Sequence, residues 1–223
     1  MRKLLTLLFL VMILTDVFGQ SSDNKWALGL YVGKTEYQGD LGSGILKYKP
    51  FYGSGAVSVN RYLNPSFDFV IFGELGNYGF ANKTNSFQAR KFDGSVMLKY
   101  KFNNGYILPE DAIVAPFLTA GPGLVCFKGT NTVEREKDAI LPVGGGIKVN
   151  VTPEVAIQYQ FLYNFTNGDN RDLVVADVDD RFASQSIGAI VSLGSKKDTD
   201  KDGVPDKADK CPGTLSGFPQ GPL

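Results

Sequence analysis

Histidine is absent from this chain of 223 residues, and cysteine is nearly so, Cys126 and Cys211 being its only two. Without an imidazole the chain cannot assemble a Ser-His-Asp or Cys-His hydrolase, and His-containing zinc centres are excluded as well. One cysteine lies in mid-chain and the other near the C-terminus, so no disulfide framework is expected. An excess of either charge is missing too, with 23 basic and 23 acidic residues. That balance removes the electrostatic footprint of a nucleic-acid binder. A long apolar run, finally, is found at one place alone, the N-terminus.

There, Arg2 and Lys3 precede an apolar stretch from Leu4 to Leu14, and Val17-Phe18-Gly19 closes it. A basic start, a short apolar middle and a modest-to-small ending predict a secretory signal over 1–19, with the mature chain starting at Gln20. No cysteine follows the apolar stretch, so a lipid anchor is not expected.

What the chain has in quantity is alternation. Trp26, Leu28, Leu30 and Val32 fall on one parity, with Ala27, Gly29, Tyr31, Gly33 and Thr35 on the other. Such period-2 patterning predicts a strand between two unlike environments. The pattern recurs over 53–63, 66–77, 90–102, 114–125, 141–150, 155–163 and 185–194, which makes eight strands. The clearest sets Phe92, Val96, Leu98, Tyr100 and Phe102 against Asp93, Ser95, Lys99 and Lys101.

Connection lengths choose among eight-stranded architectures. Long links are expected near 38–52, 78–89, 126–140 and 164–184. Short ones are expected at Asn64-Pro65, over 103–111 and at Val151-Thr152-Pro153. An even strand count with alternating short turns and long loops is the signature of an outer-membrane barrel. Strands of about 9 to 11 residues suffice to cross a bilayer, and a strand in lipid satisfies its backbone only in a closed barrel. A soluble barrel with apolar faces inward would present Gly, Ser, Ala and Gln to water, a poor solvent surface. The expected fold is therefore all-β, an eight-stranded antiparallel transmembrane β-barrel in up-and-down order over 20–195, with Trp26, Phe51, Tyr52, Tyr62, Phe67, Tyr100, Phe102 and Tyr163 as candidates for aromatic girdles.

The parity assigns Asp68, Glu74, Asp93, Lys99, Lys101 and Lys148 to the lumen. Two carboxylates near one another can serve as acid and base. A barrel of eight strands, however, is just wide enough for its own side chains, and buried charges persist only when paired. These residues read as a structural ionic network, not as a catalytic site, and no enzyme is expected. Gly121-Pro122-Gly123 and Gly144-Gly145-Gly146 lack the Lys-Ser/Thr ending of a phosphate loop and are assigned a steric role. The polar loop segments 82–86, 130–138 and 169–181 are candidates for partner binding or simply solvated connections.

The sharpest motif follows the barrel, in the run from Asp198 to Pro212. Asp198, Asp200, Asp202, Asp206 and Asp209 recur at positions 1, 3, 5, 9 and 12, Gly203 stands at 6, and the carbonyl of Val204 is offered at 7. Calcium takes six to eight oxygens, and this spacing with Gly at the sharp turn predicts a calcium loop.

The run Asp-x-Asp-x-Asp-Gly-Val-x-Asp-x-x-Asp-x-Cys-Pro resembles a thrombospondin type 3 repeat. A signal peptide, a barrel and such a repeat, in that order, resemble the OmpA-like outer-membrane proteins of Bacteroidota-type bacteria. The resemblance implies an outer-membrane location with both termini periplasmic, and a structural or anchoring role in the envelope. Outer-membrane lipid and other envelope proteins are the partners so implied. Family members usually continue into a peptidoglycan-binding domain, whereas 213–223 hold too little to fold, so peptidoglycan contact is not expected of this chain and 196–223 are read as the calcium segment with a short linker. A narrow porin, or a receptor or adhesin acting through the loops, are the rival expectations.

Overall fold

Strands whose two faces differ must find neighbours on both edges, and in this chain they do so by closing on themselves. The computed structural model describes residues 25–39, 42–47, 50–81, 86–129, 136–152, 154–167 and 181–193. The expected signal peptide, the polar segments 82–85, 130–135 and 169–180, and the calcium segment lie outside the described residues. In chain order the strands are β1 Trp26–Gly39, β2 Gly42–Ser43, β3 Gly53–Tyr62, β4 Phe67–Ala81, β5 Ser86–Lys101, β6 Val114–Ala120, β7 Gly123–Gly129, β8 Glu136–Asn150, β9 Val155–Thr166 and β10 Arg181–Leu193.

All the strand pairings are antiparallel, and β10 pairs β1, which closes the ring. Eight walls result, because β2 is a two-residue extension folded back on the end of β1 and β6 and β7 are halves of one wall. Both halves lie between β5 and β8. The register does not slip across the gap, since Leu98 faces Ala120 and Ser95 faces Gly123. The interruption is Pro122, which has no N–H to donate. Its carbonyl still accepts from Val96 N at 2.9 Å, and Gly121 N still reaches Pro142 O at 3.3 Å. The strand expected over 114–125 is thus present, longer than expected and nicked.

Following paired residues once around the ring runs Trp26, Arg61, Phe69, Leu98, Ala120, Val143, Tyr163, Ala183 and back to β1 at Glu36. The stagger is the ten residues from 26 to 36. With about 3.3 Å per residue and about 4.8 Å between strands, it tilts the walls by about 41° and sets a radius of about 8 Å. Each residue then climbs about 2.5 Å along the barrel axis.

The three short connections are built on side chains that replace lost backbone partners. Asn64 Oδ1 accepts from Ser66 N and Phe67 N, each at 2.9 Å. Asn104 Oδ1 accepts from Tyr106 N and Ile107 N at 3.1 and 3.0 Å, beside Gly105 at φ 81°. Thr152 Oγ1 accepts from Glu154 N and Val155 N at 3.2 and 3.0 Å. This turn side also carries the start of β1 and the end of β10.

The loop side departs from expectation. β4 continues through Ala81, β5 begins at Ser86, β7 reaches Gly129 and β8 begins at Glu136. Much of 78–89 and 126–140 is therefore strand, not loop. The patterning there is inverted: Tyr78 and Phe80 are buried in the lumen, while Gln88, Arg90 and Lys128 face outward. Reading apolar residues as outward-facing cannot detect strand that has left the apolar belt.

Candidate functional site

The outer face is an apolar belt. Trp26, Leu28, Leu30, Val32, Val57, Phe69, Ile71, Leu75, Phe92, Val96, Leu98 and Ile147 are all exposed, as the strand parity predicted. On β5 the outward positions Phe92, Gly94, Val96, Leu98 and Tyr100 carry no charge, a span of about 20 Å along the axis. Stagger between strands widens the belt to about the 25 Å of a membrane barrel. An exposed apolar band encircling the whole molecule has no place in water, where patches of a few hundred Å² are already large.

Aromatic rings mark the turn-side edge. Phe67 and Tyr100 meet edge-on with centroids 5.3 Å apart, and Tyr100 meets Phe102 at 5.3 Å. The Arg61 guanidinium lies over Trp26 at 5.2 Å. These are the amphipathic contacts of a headgroup-level girdle. Tyr163 pairs with Phe165 at 4.9 Å nearer the loop side. Tyr52, proposed for the girdle on sequence, instead lines a small recess above the belt with Tyr37 and Phe80.

The lumen is filled in four layers. At the turn side Lys101 pairs with Asp68 at 2.6 Å, and Lys99 donates to Asn60 Oδ1 and Gln158 Oε1 at 3.2 and 3.1 Å. In the middle, Tyr31 packs edge-on against Phe72, shares a hydrogen bond with Ser58 at 3.1 Å and accepts one from Gln158. Glycine makes room for this ring. A methyl at Gly29 would stand 2.5 Å from its hydroxyl, and one at Gly188 would stand 2.6 Å from its Cδ1. Gly146 likewise clears the ring of Phe117, as the steric reading of the glycine runs required.

Above lies the central ionic cluster. Lys91 meets Asp93 at 2.5 Å and Glu74 at 3.2 Å, Thr35 donates to Glu74 at 3.3 Å, and the Lys91 ammonium sits 4.7 Å from the Phe182 ring centre. The loop-side end is then closed by Tyr37, Tyr78, Phe80, Val125, Phe127, Ile140 and Phe182, a buried cluster inside the wall.

All six lumen charges named from sequence face inward. Lys91, the residue that joins Glu74 to Asp93, was missed, although it shares parity with Asp93 two positions on. The aromatic plug was missed as well. Glu74 and Asp93 are held together, but by a lysine and away from solvent, which is the arrangement of a structural network. Asp198, Asp200, Asp202, Val204, Asp206 and Asp209 lie outside the described residues. Among the described residues no group of three or more acidic or cysteine side chains forms a metal cradle.

No family model and no curated protein matches the chain. Solved structures do. Neisserial surface protein A is similar over 75% of this chain and 97% of its own, at 18% identity and a TM-score of 0.54. Ail, the attachment invasion locus protein of Yersinia pestis, solved with the heparin analogue sucrose octasulfate, is similar over 76% of this chain and 98% of its own, at 13% identity and a TM-score of 0.51. At such identities the likeness is one of fold, and the shared fold is the eight-stranded antiparallel barrel of outer-membrane proteins.

Proposed function

We propose that this chain is a structural outer-membrane protein: a closed, non-conducting barrel that sits in lipid without catalysing a reaction and holds an acidic, calcium-binding tail on the periplasmic side. The carrying observation is the pairing of an apolar exterior with a lumen filled by side chains in its middle and at its loop-side end. Tyr37, Tyr78 and Phe182, each at most 2% exposed, fill the loop-side bore, and Lys91 with its two carboxylates fills the middle. Ionic pairs of this kind rigidify a wall and leave no aqueous path, which speaks against the narrow-porin alternative. Small barrels of this strand number have interiors that side chains fill.

The connections support an orientation with both ends of the wall periplasmic. Short turns lie on the periplasmic side in such barrels, and both ends of the wall, Trp26 and Leu193, lie with the short turns here. The tail beyond Leu193 therefore starts in the periplasm, where Asp198, Asp200, Asp202, the Val204 carbonyl, Asp206 and Asp209 are proposed to hold calcium. Planar-bilayer recording tests the central proposal. Purified mature protein should give no openings of steady size, while Phe182→Ala with Tyr37→Ala, which empties the plug, should produce them. Regular openings by the unaltered protein would establish a porin instead.

A further inference from the structure

The turn-side mouth of the lumen carries more positive than negative charge. Lys99, Lys101 and Lys148 line one recess together with Asp68 and Gln158. Asp68 is the single carboxylate in that lining, and Lys101 already occupies it at 2.6 Å. Lys99, 6% exposed, has only the neutral amides of Asn60 and Gln158 as acceptors and the face of Phe117 at 4.6 Å. Lys148 makes neither a hydrogen bond nor an ion pair with any described residue.

Three ammonium groups share the single carboxylate of Asp68, which leaves the mouth with an excess of positive charge. Burying an unpaired charge is costly, and the usual relief is pairing. The network built around Lys91 on the same lumen shows the contrast, since there one lysine faces two carboxylates. Lys148 is partly exposed and brings the recess to the rim, where one compact group with several acceptor oxygens can take charge-assisted hydrogen bonds from the lysines.

We propose that this mouth is an oxyanion site, in which Lys148 and Lys99 together take one carboxylate or phosphate group. It lies on the turn side, within about two axial residue steps of the rim at Val114 and Asn150. Two sources can supply the group. Free phosphate is one. The other is the chain's own tail: β10 ends at Leu193 on the same rim, and Asp198 follows five residues later. Five extended residues reach about 17 Å, twice the barrel radius of about 8 Å. The tail's five aspartates thus come within range of the mouth, at the effective millimolar concentration of a tethered ligand.

The test is calorimetric titration of inorganic phosphate, at neutral pH and low salt, into full-length mature protein in micelles of uncharged detergent. Four proteins are compared: the unaltered chain, the tail variant Asp198→Asn with Asp200→Asn and Asp202→Asn, and each of these two carrying Lys148→Met. Saturable one-to-one binding by the unaltered chain, weakened at least about tenfold by Lys148→Met, supports the site with free oxyanion as its occupant. Binding seen only in the tail variant, and lost again on adding Lys148→Met, supports the site with a tail carboxylate as its occupant. No saturable binding by either the unaltered chain or the tail variant at several millimolar phosphate overturns the proposal. Equal affinity with and without Lys148→Met overturns it too. Should Lys148→Met fail to assemble, judged by loss of the heat-dependent gel shift, Lys148→Gln takes its place with the same outcomes.

Discussion

Replacing Lys91 by methionine isolates the contribution of the lumen network. The stem of the side chain keeps its volume, so little cavity is created, while the ammonium that stands 2.5 Å from Asp93 and 3.2 Å from Glu74 is lost. Both carboxylates remain, 3% and 1% exposed, on neighbouring strands where they face one another in register. Removing one partner of a buried ionic pair costs about 3 to 5 kcal/mol. Two orphaned carboxylates place Lys91→Met at the upper end, about 5 kcal/mol, with the contact to Phe182 lost as well. For a urea dependence of about 2 kcal/mol per molar, that shifts the unfolding midpoint down by about 2 M. The single tryptophan, Trp26, lies on the lipid-facing surface at 45% exposure and reports the transition by fluorescence in micelles. The triple variant Lys91→Met, Glu74→Gln, Asp93→Asn removes all three charges and should lose no more than about 2 kcal/mol, because uncharged isosteres leave no naked charge. A triple variant as unstable as the single, or a single variant within about 1 kcal/mol of the unaltered protein, would refute the account of the lumen as a charge-compensated network.

Two further outcomes are expected. Leu98→Arg, in mid-belt at 47% exposure, should cost about 2 to 4 kcal/mol and impair assembly into lipid vesicles, read from the fraction that keeps its folded mobility on unheated gels; Lys128→Leu, on the outward parity above the belt, should leave assembly unchanged. A peptide spanning Ser195 to Thr214 should bind calcium at about 10⁻⁴ to 10⁻³ M, with Asp200→Asn plus Asp202→Asn abolishing the heat; equal heat from the variant would reduce the segment to an acidic linker.

Strand number, the order of short and long connections, and the side on which each belt residue stands were all legible in the chain. Each depends on nearest-neighbour information: parity along a strand dictates facing, and Asn64, Asn104 and Thr152 form their turns with residues two or three positions on. Asp68, Glu74, Asp93, Lys99, Lys101 and Lys148 could be placed in the lumen for the same reason. The residues proposed for calcium are likewise read from local spacing, and they lie outside the described residues.

Partnership across the lumen was not legible. Lys99 meets Gln158 on a strand that is not its neighbour, and Lys91 reaches Ser184 at 3.5 Å. Which inward residues meet is decided by the ten-residue stagger around the ring, and no segment carries that quantity. The extent of the strands was hidden for a related reason. Within the membrane lipid demands apolar residues outside, whereas beyond it water reverses the demand, so Tyr37, Tyr78 and Phe80 turn inward. From the sequence such a stretch reads as a polar loop holding stray aromatics. Closure of the barrel brings aromatics together from β1, β4, β7 and β10, and only that closure makes them a plug.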